Sequence, residues 1–313
     1  MATVFLFPGQ GSQYFHMGRE LFDSQPVFKA RLTVLERLAR TACGHSIIAS
    51  LYDDSRSKAA PFDRLVETHP AIFMVELALA QTLMELGIRP DCVLGASLGS
   101  FAAAVVAGCL TAEQALHAVI EQADAVSARC APGVMIAVLA SPGLLRALGI
   151  LDDCEVAALN SASHCVIAAP AERATRIESR LFEREITFQR LSVGYAFHSR
   201  WIDAAAQDCR RRFDSMQLKP PQIALVCCAQ GHEVETLGRD HFWACGRMPI
   251  RLEQAVARLE SAGPHCYIDV GPGGTLATVL RHSLPRESAA EVRSVMSPFG
   301  GDCDRLRSLT HRG

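Results

Sequence analysis

Gly95-Ala96-Ser97-Leu98-Gly99 follows a short apolar run, Cys92-Val93-Leu94, and precedes an alanine-rich stretch, Phe101 to Leu110. This is G-x-S-x-G between a predicted strand and a predicted helix, the setting of a nucleophile elbow. Two glycines permit a sharp turn that leaves the serine Oγ exposed above the sheet edge. A helix start at the same point offers unpaired N–H groups and the positive end of its dipole to a developing oxyanion. The chemistry expected of Ser97 is acyl transfer through a covalent intermediate, and that needs a base within hydrogen-bond reach.

Eleven histidines are available as the base. His45, His117, His232, His241, His282 and His311 lie in polar helix or loop contexts with ordinary explanations. His198 differs, because it follows the aromatic–small run Tyr195-Ala196-Phe197 and precedes Ser199-Arg200 near a predicted helix start. Its rate contribution should fall as pH drops through the imidazole pKa, near ~6.5 if unperturbed. No acid is well placed as a third member; Asp203 and Asp269 are the weak candidates.

The elements that must position these groups alternate between β and α signals. Thr3–Phe7 reads as a strand entering the loop Pro8-Gly9-Gln10-Gly11-Ser12-Gln13. Helical patterns follow at Met17–Ser24, Pro26–Thr41 and Ala71–Leu86. The strand Cys92–Leu94 leads through the elbow into predicted helices over Ser100–Ala107 and Ala112–Ala128.

From Pro132-Gly133 the texture changes. Short β runs at Val134–Leu139, Glu155–Asn160, Cys165–Ala168 and Thr187–Val193 alternate with helical stretches at Pro142–Leu148 and Ala171–Arg184. The order β-α-β-β-α-β predicts a small ferredoxin-like unit over 131–195, inserted in a larger α/β domain made of 1–130 and 196–313. The larger domain resumes with helix Trp201–Asp214, strand Ile223–Cys228, helix Met248–Ser261, strand Cys266–Val270 and helix Thr275–His282. A short helix with a frayed end is expected after Pro298-Phe299-Gly300-Gly301.

Composition narrows the class. The chain has 313 residues, 49% hydrophobic and 20% charged, with a net charge of −2. That balance gives no global reason to expect nucleic acid or an anionic membrane as partner. No apolar run approaches the ~18 residues of a spanning helix. Val4-Phe5-Leu6-Phe7 stops at Pro8 with no basic region before it, which is not a signal peptide. The twelve cysteines are scattered without a C-x-x-C pair, and the adjacent Cys227-Cys228 is poorly placed to share a metal. They read as small buried residues in a reducing cytoplasm. No metal or cofactor is expected, since no His, Cys or carboxylate cluster shows ligand spacing.

Four motifs carry a resemblance. Phe7-Pro8-Gly9-Gln10-Gly11-Ser12-Gln13, Gly95-Ala96-Ser97-Leu98-Gly99, Ala196-Phe197-His198-Ser199 and Val270-Gly271-Pro272-Gly273 occur in that order. The chain resembles the acyl-carrier-protein acyltransferases along essentially its whole length, that is, malonyl-CoA transacylases and the acyltransferase domains of polyketide synthases. The resemblance implies an α/β-hydrolase-like core with a ferredoxin-like insert. It also implies Ser97 as acyl-accepting nucleophile and His198 as base, oriented by a main-chain carbonyl rather than an acid. The oxyanion donors would be the backbone N–H groups of Gln10 and Leu98. Gln122, Ala96, Phe197 and Asn160 are expected around the acyl pocket.

The departures from the family pattern point to the substrate. Malonyl-type members carry G-H-S-x-G-E, where this chain has Ala96 and Ser100 in place of the His and Glu. Their carboxylate-binding arginine, counted forward without gaps from Ser97, falls on Gln122. Glutamine offers a neutral N–H but neither charge nor fork. A carboxylate left without its cation in a closed pocket costs several kcal/mol. Arg129 could replace the clamp only by spanning about 10 Å of helix rise.

Without the clamp, the enzyme is expected to accept uncharged acyl groups. His69-Pro70-Ala71-Ile72-Phe73-Met74-Val75-Glu76, the elbow and Gly274-Thr275-Leu276-Ala277-Thr278 are most similar to the stand-alone acyltransferase-like acyl hydrolases of polyketide assembly lines that lack built-in acyltransferases. The expected function is thus hydrolysis of stalled acyl groups from the phosphopantetheine of acyl carrier proteins. The alternatives are an acyltransferase delivering malonyl or another acyl group from coenzyme A, and a non-catalytic carrier-protein docking protein. The partner would be an acidic acyl carrier protein, met by Arg210-Arg211-Arg212 or by Arg247 and Arg251, although the triplet also reads as an ordinary solvated helix face. The chain is expected to be a cytoplasmic monomer.

Overall fold

The computed structural model describes residues 1–310, and His311 lies outside the described residues. The strands are β1 (Ala2–Phe7), β2 (Cys92–Gly95), β3 (Gly133–Val138), β4 (Glu155–Ser161), β5 (His164–Pro170), β6 (Phe188–Arg190), β7 (Ala224–Cys227), β8 (His232–Glu233), β9 (Ile250–Arg251), β10 (His265–Asp269) and β11 (Glu291–Ser294). They form two sheets in a mixed α/β fold.

The larger sheet has the order β11-β10-β1-β2-β7-β8, parallel throughout except for the antiparallel edge strand β8. Helices cover both faces, so its central strands are apolar on both sides rather than alternating. Val4, Phe5, Leu6 and Phe7 are all fully buried. Phe5 and Phe7 belong to the core beneath the long helix Leu65–Glu85, while Val4 and Leu6 pack on the opposite face with Tyr267, Leu276 and Leu280. The functional loops leave this sheet at the C-terminal ends of β1, β2 and β10, where open α/β sheets hold their ligands.

The smaller sheet has the order β6-β3-β5-β4-β9. Its first four strands are antiparallel and come from the β-α-β-β-α-β stretch, with helices Pro142–Ala147 and Ala174–Glu183 as the two crossovers. Ile136, Val138, Ile167 and Leu181 give this unit a core of its own. A fifth strand, β9, adds in parallel to β4 from outside the 131–195 segment. Its Ile250 lines the cavity described below.

Several elements differ from the sequence expectation. The long helix starts at Leu65, ahead of Pro70, rather than at Ala71. Pro70 cannot donate to the carbonyl four residues back, which breaks the pattern in sequence, yet the helix persists because nearly all its residues are buried. The stretch read as one helix from Met248 is instead β9 followed by helix Leu252–Glu260. The helix His241–Arg247 and strand β11 have no counterpart among the elements expected from the sequence. Helix Trp201–Asp214 opens as a 3-10 turn over Arg200–Ala205, capped by Ser199. Among the described residues, no helix is long and apolar enough to cross a membrane.

Candidate active site

Ser97 occupies the turn between β2 and the helix Gly99–Val106 with φ of 55°. The strain of the elbow is therefore carried by the serine itself, a conformation that costs a non-glycine residue roughly 1–3 kcal/mol. The flanking glycines serve close approach. A Cβ on Gly99 would lie 2.1 Å from the carbonyl oxygen of Phe7, and one on Gly95 would lie 2.6 Å from the Cα of Ser100.

The four sequence motifs converge by the same steric logic. A Cβ on Gly9 would sit 2.8 Å from the Cβ of Ser97, so the Pro8-Gly9-Gln10 loop is pressed against the elbow. Gly271 is equally constrained against Pro8, and Gly133 at the start of β3 against Ala196.

His198 stands opposite the serine, with Nε2 2.8 Å from Ser97 Oγ. Its Nδ1 lies 2.7 Å from the main-chain oxygen of Met248. A carbonyl only accepts, so Nδ1 must carry the proton and Nε2 must accept from the serine hydroxyl. The His198 N–H donates to the Gly246 oxygen at 3.0 Å, fixing the backbone as well. Burial pushes the His198 imidazole down to about 4, partly offset by the Met248 carbonyl, with Arg247 lowering it further. The ring is therefore perturbed well below the ordinary imidazole value of ~6.5. The neutral ring can take the hydroxyl proton while Met248 stabilises the resulting imidazolium.

Neither acid candidate reaches His198. Asp203 pairs with Arg247 on the surface. Asp269 is fully buried and accepts hydrogen bonds from the N–H groups of Gly271 and Ala277, holding the Gly271-Pro272-Gly273 loop. Burial raises its carboxyl to about 6 against those lowering hydrogen bonds.

One cavity opens over the pair. Gln10, Ala96, Leu98, Gln122, Asn160 and Phe197 all line it together with Ser97 and His198. Gln122 is 5% exposed, on the buried face of helix Ala112–Arg129, and its Nε2 would lie 3.3 Å from a Cβ placed on Gly246. The rest of the wall is mostly apolar, with Met135, Val166 and Ile250 from the smaller sheet, Leu191, and Leu276 from helix Thr275–Ser283. Among the described residues, no lysine or arginine lines the cavity. Arg129 does not replace the clamp, because it pairs with Asp208 on the surface.

His69 is the site residue to which sequence reasoning gave no role. It lines the cavity, fully desolvated, with its ring 5.6 Å from that of Phe197. Burial pushes its imidazole down to about 3, so the ring is neutral. The Gln10 side-chain amide donates to Thr68 Oγ1 at 2.6 Å and meets His69 Nδ1 at 2.8 Å. These bonds anchor the Pro8-Gly9-Gln10 loop to the first turns of the long helix. Only the polar pair Thr68-His69, ahead of a largely apolar helical stretch, could have marked it in the sequence.

Four of the five basic docking candidates, all but Arg251, are paired with acids. Arg210 pairs with Asp240, Arg211 with Asp208, Arg212 with Glu121, and Arg247 with Asp203. His241, expected in a polar context, is instead 5% exposed. Its Nε2 lies 3.7 Å from Cys245 Sγ.

Residues 4–303 match the family described as acyl transferase domain. The chain is 40% identical over 307 residues to the polyketide biosynthesis acyltransferase homolog BaeD of Bacillus velezensis, covering 98% of this chain and 95% of that protein. It is 37% identical over 309 residues to the homolog PksD of Bacillus subtilis, covering 98% and 95%. Among solved structures, the loading acyltransferase of the avermectin modular polyketide synthase superposes with a TM-score of 0.90 at 27% identity, covering 99% of this chain and 100% of that one.

Proposed function

Because the chain belongs to the acyl transferase domain family, we propose that it is a serine acyl hydrolase that frees uncharged acyl groups, acetyl and longer, from acyl carrier proteins of a polyketide assembly line. The carrying observation is the cavity wall: Gln122 stands in it, and no lysine or arginine does among the described residues. A malonyl carboxylate there would be buried without a cation, at a cost of several kcal/mol. A neutral acyl chain instead gains apolar contact with Met135, Val166 and Leu276.

The steps follow from the hydrogen bonds. Ser97 Oγ attacks the thioester carbonyl as its proton passes to His198 Nε2. The N–H groups of Gln10 and Leu98 receive the oxyanion. Collapse expels the phosphopantetheine thiolate, which takes the proton from His198, and leaves the acyl group on Ser97. Water then gives a proton to His198 and attacks the ester. The second collapse returns that proton to Ser97 and releases the free acid.

The same reading takes residues 1–130 and 196–313 as an α/β-hydrolase-like core and 131–195 as a ferredoxin-like unit. It places the protein in the cytoplasm, consistent with twelve free cysteines, as a monomer without cofactor. The runner-up is transfer of malonyl or another acyl group from coenzyme A to a carrier protein. A purely docking role is disfavoured by the intact Ser97–His198 pair.

The test is to incubate the protein with acetyl- and malonyl-loaded carrier protein and score free acid against transfer to a second carrier. Acetate release with malonyl spared is expected. Transfer of malonyl without hydrolysis would replace this reading with the transferase.

A further inference from the structure

We propose that Cys227, His241 and Cys245 form a zinc site beneath the catalytic pair. Cys227 ends β7, and His241 and Cys245 lie one helical turn apart on the same face of helix His241–Arg247. Their exposures are 2%, 5% and 1%. Adjacency of Cys227 and Cys228 argued against a metal in the sequence, but the fold supplies Cys227 with partners fourteen and eighteen residues away.

The edges of the triangle are those of a tetrahedral zinc centre. Zn–S bonds near 2.3 Å and Zn–N bonds near 2.0–2.1 Å require about 3.8 Å between two sulfurs and about 3.6 Å between sulfur and imidazole nitrogen. Cys227 Sγ lies 3.6 Å from Cys245 Sγ, and Cys245 Sγ lies 3.7 Å from His241 Nε2. No two of the three ligand atoms are more than 4.8 Å apart, so the third edge closes with a shift of about 1 Å.

A second observation points into the same space. Ser100 is 3% exposed, its hydroxyl neighbours the Cys245 thiol, and Oγ has no hydrogen-bond partner of normal geometry. A hydroxyl or a water held by it would complete four ligands. Charge also balances: binding Zn²⁺ releases two thiol protons, and two thiolates leave the buried centre neutral.

The site would bear on the chemistry without touching substrate. Cys245 is followed by Gly246, whose carbonyl holds the His198 N–H, and three residues on by Met248, whose carbonyl holds Nδ1. Ser100 sits in the first turn of the elbow helix. The metal would thus tie β7 and both catalytic supports together.

The experiment is elemental analysis of the full chain, purified under reducing conditions from zinc-supplemented culture and dialysed. One zinc per chain is expected, with a rise in Tm over chain stripped by chelator. Cobalt substitution should give the thiolate-to-metal absorption and intense d–d bands of a tetrahedral S₂N centre, a readout that needs no variant to fold. Cys227→Ala and His241→Asn should each lower zinc content at least tenfold. Reduced wild-type chain without zinc, zinc retained in Cys227→Ala, or a Cys227–Cys245 disulfide in the freshly isolated protein would each overturn the proposal.

Discussion

Ser97 and His198, joined at 2.8 Å, also share a backbone anomaly: each is a non-glycine residue with positive φ, 55° and 61° respectively. Such conformations persist only where the surroundings over-determine them. For Ser97 the surroundings are Gly9 and Gly99, whose missing side chains let β1 and the elbow helix close on it. For His198 they are two carbonyls of one segment, Gly246 and Met248.

Ser97→Ala removes the hydroxyl at a partly exposed turn and opens no core cavity. Turnover should fall by about 10⁴-fold or more, with the melting temperature little changed. Intact-protein mass spectrometry should show an acyl adduct on Ser97 in the wild type and none in the variant. An adduct on another residue would refute the assignment.

The pH dependence follows from the buried imidazole. Only neutral His198 can accept the serine proton, and its ring is pushed down to about 4. The neutral form therefore survives well below pH 6.5, so kcat/KM should stay flat from pH 8 to about 5 and drop roughly tenfold per pH unit only below about 4. An acid limb centred near 6.5 would show that the free enzyme's base is solvated. His198→Ala should slow acylation and deacylation together, measured by pre-steady-state release of thiol and acid.

Gly99→Ala tests the packing of the elbow. The added methyl would stand 2.1 Å from the Phe7 oxygen and 2.2 Å from that of Pro8, both backbone atoms that cannot rotate away. A loss of about 3 kcal/mol or more is expected on denaturant unfolding. Gly194→Ala, where a Cβ meets nothing within 4 Å, should be nearly neutral.

Glu76 lies fully buried in the long helix, and neither carboxylate oxygen has a hydrogen-bond partner. Burial, then the negative charge of Asp269, raises its pKa well above the unfolded value near 4.5. A raised folded value means stability that is complete below pH 4.5 and is lost as pH rises through the folded pKa. Glu76→Met should accordingly stabilise by about 1–3 kcal/mol at pH 8 and by less at pH 5. Equal effects at both values in urea unfolding would show that Glu76 does not titrate differently in the folded state.

The sequence was most legible where local chemistry repeats what the fold needs. The elbow, the Gly-rich loop after β1 and the small unit's strand order in sequence all announce themselves, because glycine spacing and period-two runs are local signals. The carbonyl of Met248 carries no side-chain signature, so no reading of residue types could pair it with His198. Helix His241–Arg247 was hidden because its residues Phe242, Trp243 and Cys245 are buried without a polar face to set a period. His69 was lost inside an apolar helix, and the cysteine–histidine cluster joins a strand end to a helix fourteen residues on, a spacing that matches no local ligand motif.

Gln122 decides the substrate in the proposed reading, and its surroundings set what can be expected of changing it. Its side chain lines the cavity and its Nε2 would lie 3.3 Å from a Cβ placed on Gly246, so an arginine there has the cavity open to it and little room beside Gly246. That brings a guanidinium to a wall that holds no cation among the described residues. Gln122→Arg should raise the preference for malonyl over acetyl by tenfold or more in kcat/KM, since two charge-assisted hydrogen bonds replace an unpaired buried carboxylate. The gain should appear chiefly in acylation. Tighter ground-state binding does not speed attack of water, so malonyl should accumulate on Ser97, visible as a stable adduct. Displacement of Gly246 would also disturb His198, and a moderate loss in acetyl hydrolysis is expected from that. If the wild type instead transfers malonyl efficiently and Gln122→Arg changes neither rate nor preference, the cavity does not select by charge, and the transferase reading prevails.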